Sequence, residues 1–386
     1  MSPVAAHDRE TSGFIDAHSH LRSTSYSDHG IAGESLEEAL LRMSASTSVD
    51  IEDDVFVACS ELIEKGVTGV QAMFHTFGDP DDYALALDAT IAGVRRSGIR
   101  ALIVLGTTDQ AEILPPQFDP AVELPELSMN LRRLTANEFG DVVERSVTRY
   151  PQTTFGIGPV GPQWCSDPLL HTIGDISRQG FRVHSHFAES KSQRQWAGNL
   201  FGRMNQAGLL GPHTSLAHAV WLTSEEEVQL ADLGVSLVTC PLSNHLLNAG
   251  RADVPGWQSA GIRFGVGLDS ADRTATPMAV AGRVLTPADA EHALTIGGHQ
   301  ATGIDSRHDR VIWADADAAM PDSVAIAGIE RVVNGRLVNH GEVDEARARI
   351  SEAMRRDTPQ RAHRHQVLDG IMPRYREIIG AVVGDR

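Results

Sequence analysis

Short apolar, β-branched runs alternate along most of the chain with longer stretches in which apolar residues recur at helical spacing. This is the pattern of βα units around a parallel sheet. Eight runs predict strands, at residues 14–20, 67–75, 99–106, 154–159, 182–188, 215–219, 234–239 and 262–268. Between them the periodicity predicts helices at 35–46 and 51–65, then 80–97, 135–150, 167–179, 191–207, 224–233 and 253–260. Glycines stand at the helix–strand junctions, Gly66 and Gly98 among them, where a helix C-cap takes positive φ. Strands buried on both faces and repeated eight times predict an α/β fold, a (β/α)8 TIM-type barrel over residues 13–305.

Past the eighth strand, residues 287–302 predict a closing helix. Residues 324–338 (VAIAGIERVVNGRLV) predict a hairpin turned at Asn334-Gly335 or just before it. The segment 306–340 is therefore expected to be a small β remnant, and 341–386 a charged C-terminal helical extension on the barrel exterior.

Composition narrows the function classes. The chain carries 33 basic and 51 acidic residues, a formal charge of −18. Such a surface repels phosphate, which argues against nucleic acid or an anionic membrane as partner. Cys59, Cys165 and Cys240 lie far apart, as expected of reduced thiols in a cytoplasmic protein. Residues 1–13 are polar with no signal-peptide core, and no apolar run reaches membrane-spanning length. The expected partner is a small molecule; a homo-oligomer is left open.

The chemistry begins at His18-Ser19-His20, which closes the first predicted strand. Residues i and i+2 of a strand share a face, and in a barrel that face is the interior. Two imidazoles therefore converge at the C-terminal mouth, where barrel active sites form. Alone the pair is weak evidence, because 17 histidines in 386 residues make chance pairs common. A further pair, His363-Arg364-His365, reads as a solvated face of the tail helix. The fifth strand ends His184-Ser185-His186-Phe187-Ala188-Glu189, so that His186 can close a metal site and Glu189 overhang it as a proton carrier. Glu189 as a helix cap is the weaker alternative, since Ser190 is the better capping residue. His218 ends the sixth strand. Asp269 follows the eighth, in Gly265-Val266-Gly267-Leu268-Asp269-Ser270. An aspartate there is ordinarily a turn or cap residue; its arrival at the same mouth as the histidines changes that reading.

In this order the pieces resemble the amidohydrolase superfamily: His-x-His on strand one, histidines on strands five and six, aspartate on strand eight. The His186-Phe187-Ala188-Glu189 variant, with Cys240-Pro241-Leu242-Ser243-Asn244 running on to Gly250, is similar to the aminohydrolase branch. That branch holds the guanine, cytosine and adenosine-type deaminases and the triazine deaminases and chlorohydrolases. The resemblance covers about residues 13 to 305 and implies a divalent metal, zinc with iron as the alternative, held by His18, His20, His186 and Asp269. It assigns catalysis to Glu189, His218 and Asp269, on the C–NH2 group of a nitrogen heterocycle or guanidine-like molecule. A chlorohydrolase or cyclic-amide hydrolase on the same metal is the alternative, and a non-catalytic scaffold the third reading. Arg22, Gln71, His75, Gln163 and Trp164 are placed to reach substrate. Family members usually carry a β-sandwich from both chain ends; with only thirteen residues before Phe14, the expectation is a remnant from the C-terminal segment alone. One metal per chain is expected. The only lysines are Lys65 and Lys191, and residues 154–159 offer no Lys, Glu or Cys to bridge a second ion.

Overall fold

Parallel strands need cover on both faces, and the predicted runs have it. The computed structural model describes residues 9–115, 118–125, 132–196, 198–269, 272–315 and 318–383. After β1 (Arg9–Thr11) the barrel strands are β2 (Phe14–Ser19), β3 (Val67–Phe74), β4 (Arg100–Thr107), β5 (Thr154–Pro159), β6 (Arg182–Phe187), β7 (Thr214–His218), β8 (Ser236–Thr239) and β9 (Phe264–Val266). β2 to β9 pair in chain order, every ladder parallel. β9 returns to β2: the Asp269 N–H donates to the His18 carbonyl (2.9 Å) and the Leu268 N–H to the Asp16 carboxylate (2.9 Å). The sheet closes into the expected barrel, and its last contact sits beside the candidate ligands.

Helix starts follow their capping chemistry. Thr135 with Glu138, and Thr223 with Glu226, form reciprocal capping boxes. Two predicted helices are broken. The 191–207 stretch divides into Lys191–Trp196 and Leu200–Gln206, with Gly198 left-handed (φ +58°) and Asn199 capping the second piece. The 287–302 helix contains a π-helical turn at Ala293–Gly297. Its last piece, Gly298–Thr302, lies against β2, β7, β8 and β9.

The second sheet is larger than the expected hairpin. It contains β1, β10 (Arg310–Trp313), β11 (Ser323–Ile326), β12 (Ile329–Val333) and β13 (Arg336–Leu337), all antiparallel, as one five-stranded layer. Asn334-Gly335 does turn the chain, but between β12 and β13; the β11–β12 turn is Ala327-Gly328, and all four residues are left-handed. The expectation of a remnant from the C-terminal segment alone is corrected, because Arg9–Thr11 supplies an edge strand. Trp313 packs on Phe14, the first residue of the barrel, with ring centroids 5.6 Å apart and planes tilted by 36°. Asp309, its side chain fully buried, accepts both arms of Arg100 (2.8 Å each) and the Ala327 N–H (2.8 Å), tying the sheet to β4.

The tail forms two helices. His340–Arg356 packs Val343, Ala346 and Ile350 on the barrel helix Ile51–Glu64. Thr358–Val383 follows; there His365 is half-buried and bonds the His29 carbonyl (2.6 Å), so its motif is not the wholly solvated face expected. Residues 384–386 of the extension, and Ser270, lie outside the described residues. Among the described residues no helix is long and apolar enough to cross a membrane.

Asp309→Ala leaves the Arg100 guanidinium without its carboxylate and should cost roughly 2–3 kcal/mol of stability. Urea denaturation measures it, and a loss under about 0.5 kcal/mol would show that the pair does not hold the sheet to the barrel.

Candidate metal centre and active-site mouth

Each proposed ligand owes its position to a strand end. His18 is the next-to-last residue of β2 and His186 of β6, and His218 is the last of β7. At these ends the backbone turns sharply: Leu21, Ala188, His218 and Asp269 all have positive φ (+51°, +46°, +68° and +56°). Non-glycine residues adopt this conformation rarely and at a cost, and such strain gathers at functional sites. His218 is the centre of a γ-turn, closed by the Ala219 N–H on the Ala217 carbonyl (2.9 Å). Gly267 gives His18 its room, since a Cβ there would stand 2.7 Å from the His18 Cβ and 2.8 Å from the Cys240 sulfur.

The rings lie within contact of one another. His20 and His186 stack with centroids 5.1 Å apart, and His186 and His218 at 5.4 Å; His18 meets His186 edge-on at 4.6 Å. Their hydrogen bonds orient each ring. The Val160 carbonyl can only accept, so His186 donates from Nδ1 (2.6 Å) and its Nε2 is a bare lone pair. His184 Nδ1 lies between the Ser215 carbonyl (3.1 Å), the Ser215 hydroxyl (2.8 Å) and the Gln71 amide nitrogen (2.9 Å), and its Nε2 meets His18 Nδ1 (2.8 Å). His18 Nε2 then points inward, fully buried and without a hydrogen-bond partner. His218 repeats the arrangement, with Nδ1 on Asn244 Oδ1 (2.8 Å) and Nε2 unpartnered.

These lone pairs fit a cation. His18, His20 and His186 each offer a nitrogen within 4.8 Å of the others, and the Nε2 atoms of His20 and His186 face each other at 3.1 Å. Asp269 stands at the edge of this cluster, its carboxylate 3.7 Å from His20 Nε2. A second set, His18, His218 and Cys240, meets the same distance criterion and was not read from the sequence. Burial first, then repulsion by Asp269, Asp16 and Glu189, pushes the Cys240 thiol well above its ordinary range, which disfavours it as a ligand.

Electrostatics separate the two carboxylates. Burial raises both, but His20 and His218 hold Asp269 below its ordinary value. Glu189 is buried beside Asp269 and Glu37 and is pushed up to about 8, the protonated form of an acid; its carboxylate lies 3.4 Å from His218 Nδ1. Burial, with the neighbouring cations it would create, drives His18 well below its usual value, so it is a neutral donor.

A cavity of about 900 Å³, counted to its open mouth, lies over these groups. Arg22, His75 and Trp164 line it, as expected. Gln71 and Gln163 do not. Gln71 is fully buried a layer below, its amide on the Ala17 carbonyl (2.8 Å) and against His184 (2.9 Å), and Gln163 is buried in the turn after β5. The sequence reading missed Tyr26, Phe77 and Glu112, which also line the cavity. Glu112 accepts from Thr108 (2.7 Å) and sits 3.8 Å from His75 Nε2. No periodicity marks these loop residues.

Comparison with known proteins agrees with this geometry. The family described as "Amidohydrolase family" matches residues 11–311. The chain is 27% identical over 362 residues to 5-methylthioadenosine/S-adenosylhomocysteine deaminase 2 of Archaeoglobus fulgidus, covering 84% of this chain and 81% of that one. It is 28% identical to 8-oxoguanine deaminase of Pseudomonas aeruginosa over 59% of this chain, where it spans only 51% of the relative. Among solved structures, a zinc-bound adenosine deaminase of Xanthomonas campestris superposes with a TM-score of 0.68 at 19% identity, covering 90% of this chain and 87% of that one. A zinc-bound atrazine chlorohydrolase of Arthrobacter aurescens superposes with a TM-score of 0.69 at 19% identity, covering 90% and 88%.

Among the described residues His184 meets the proposed ligands through His18. His184→Gln should therefore keep the fold but weaken zinc binding about 10–100-fold, the usual effect of losing the group that orients a ligand. Competition with a chromogenic chelator measures it, and an unchanged affinity would contradict the relay.

Proposed function

The chain belongs to the amidohydrolase family, hydrolases of carbon–nitrogen bonds, and we propose that it is a metal-dependent deaminase of a nitrogen heterocycle or guanidine-like small molecule. The observation that carries this is Glu189, a buried carboxyl group 3.4 Å from His218 Nδ1 at the edge of the histidine cluster, pushed up to about 8 by burial. Deamination of an amidine-like carbon needs a proton on the ring nitrogen as water attacks, and a group poised near neutrality supplies it best.

His18, His20, His186 and Asp269 would hold one divalent ion, zinc by the nitrogen-rich donor set, with iron as the alternative. When bound, the ion lowers the pKa of water toward ~7 and polarises the reacting centre. The chain's own groups do the rest. Asp269, ionised, takes the proton of the attacking water. Glu189 protonates the ring nitrogen. His218, its Nδ1 fixed by Asn244, directs Nε2 toward the tetrahedral centre and orients it. Asp269 passes its proton to the amino group, the C–N bond breaks, ammonia leaves, and the new carbonyl returns a proton to Glu189. Trp164 and Phe77 offer apolar faces to a planar ring, while Arg22, His75 and Glu112 supply polar selection. The chlorohydrolase alternative uses the same water but a leaving group that needs no proton, which would leave Glu189 with less to do.

An ammonia-release screen of the zinc-loaded protein over pterins, purines, pyrimidines, triazines and hydantoin-imines tests the reaction class. Ammonia from at least one is expected, and chloride release from chlorotriazines without ammonia would move the enzyme to the alternative. On the substrate so found, Glu189→Gln should retain metal yet lose at least ~100-fold in turnover; near-normal turnover would remove Glu189 from the mechanism. Elemental analysis of desalted protein should find about one metal per chain, since β5 carries no Lys, Glu or Cys to bridge two dications. Two equivalents, both lost with activity on chelation, would overturn this.

A further inference from the structure

The helix Thr358–Val383 lies beyond the family-matched residues 11–311, yet it packs on the segments that form the cavity's outer wall. Its Leu368, Met372 and Tyr375 pack with Leu41, Ile113 and Leu114 in a cluster separate from the barrel core. The two segments joined there are the helix Leu36–Met43 and the loop after β4. Leu36, Leu40 and Met43 from the first, and Glu112 and Ile113 from the second, line the cavity. Neither segment is a barrel strand, so the barrel ladder does not fix their spacing.

Tyr375 does. It is fully buried, and its hydroxyl stands between the Ile113 carbonyl (2.7 Å) and the Glu37 carbonyl (3.0 Å), a shared donation that bridges both walls. The helix it anchors also carries Glu37, whose carboxylate accepts from the hydroxyl of Ser190, the residue after Glu189. Around this bridge the ion pairs are more exposed: Arg376 forks onto Glu38 (2.9 Å twice) and Arg374 reaches Glu123 (3.0 Å). Exposed pairs of this kind contribute little, whereas a buried hydrogen bond between otherwise unconnected segments is costly to lose.

We infer that Tyr375 is a positioning residue for substrate binding: it holds the two outer walls of the cavity in register, so that the C-terminal helix belongs to the substrate-binding apparatus. The helix thereby selects among substrates by the ring substituent that faces Glu112 and Ile113. The kinetic part of this rests on the deaminase reading; the structural part does not.

The test compares full-length, zinc-loaded wild type with Tyr375→Phe, which keeps the ring and removes only the hydroxyl, and with Arg376→Ala as a control on the same helix. Hydrogen exchange of residues 36–43 and 108–115 should quicken about tenfold in Tyr375→Phe, with zinc content and the exchange of β2 and β6 unchanged. On the amino-heterocycle found by the ammonia screen, KM should rise about tenfold while kcat stays within about twofold, the mark of lost binding rather than lost chemistry. Arg376→Ala should change none of these. Unchanged exchange in the two segments, exchange that rises over the whole barrel, or a fall in kcat with KM constant would each overturn the inference. If no substrate emerges, the deaminase reading fails, and the exchange measurement still decides whether Tyr375 joins the walls.

Discussion

Three imidazole nitrogens buried against one another constrain the rest of this molecule. His18, His20 and His186 bring their donor atoms within 4.8 Å, and burial and mutual repulsion keep His18 from taking a proton to relieve the crowding. Lone pairs arranged so suit a cation. The barrel beneath is organised to hold them in place: the Ser215 carbonyl fixes His184, His184 fixes His18, the Val160 carbonyl fixes His186, and Asn244 fixes His218. Ser215 and His184 lie on β7 and β6, Val160 follows β5, and Asn244 lies on the helix Pro241–Leu246 after β8, so closing the barrel and assembling the site are the same event.

The cost of that assembly is visible in the backbone. Five non-glycine residues at the barrel strand ends, Leu21, Ala188, His218, Ala219 and Asp269, take positive φ, and Gly267 surrenders its side chain so that His18 can occupy the interior. The walls above the site are built differently. They are loops and a short helix with no ladder of their own, held by a tail helix that shares no core with the barrel. The candidate ligands thus sit on the barrel and the cavity's outer wall on loops and a short helix, the division expected of barrel enzymes.

The candidate site residues were legible in the sequence because strand alternation and strand ends are local patterns: His18, His186, His218 and Asp269 each stand at or just past the end of an apolar run. Gln71 obeyed the same alternation but lies one layer deeper than the mouth, a depth that periodicity does not encode. Glu112, Tyr26 and Tyr375 act through contacts between segments far apart in the chain, and no pattern in their own neighbourhoods marks them. The second sheet was underestimated for a related reason. Arg9–Thr11 and Arg310–Trp313 are three and four residues long and read as strands only once they pair with each other. Cys240 was noted as the start of a motif, but its approach to His18 and His218 belongs to the closed barrel.

Two donor sets share His18, one of nitrogens completed by the Asp269 carboxylate and one containing the Cys240 sulfur. X-ray absorption at the zinc edge of the loaded protein separates them directly. The account predicts a shell of nitrogen and oxygen at about 2.0–2.1 Å with imidazole scattering, and no sulfur. A sulfur scatterer at about 2.3 Å would place the metal on Cys240 and contradict the assignment from which the mechanism is built.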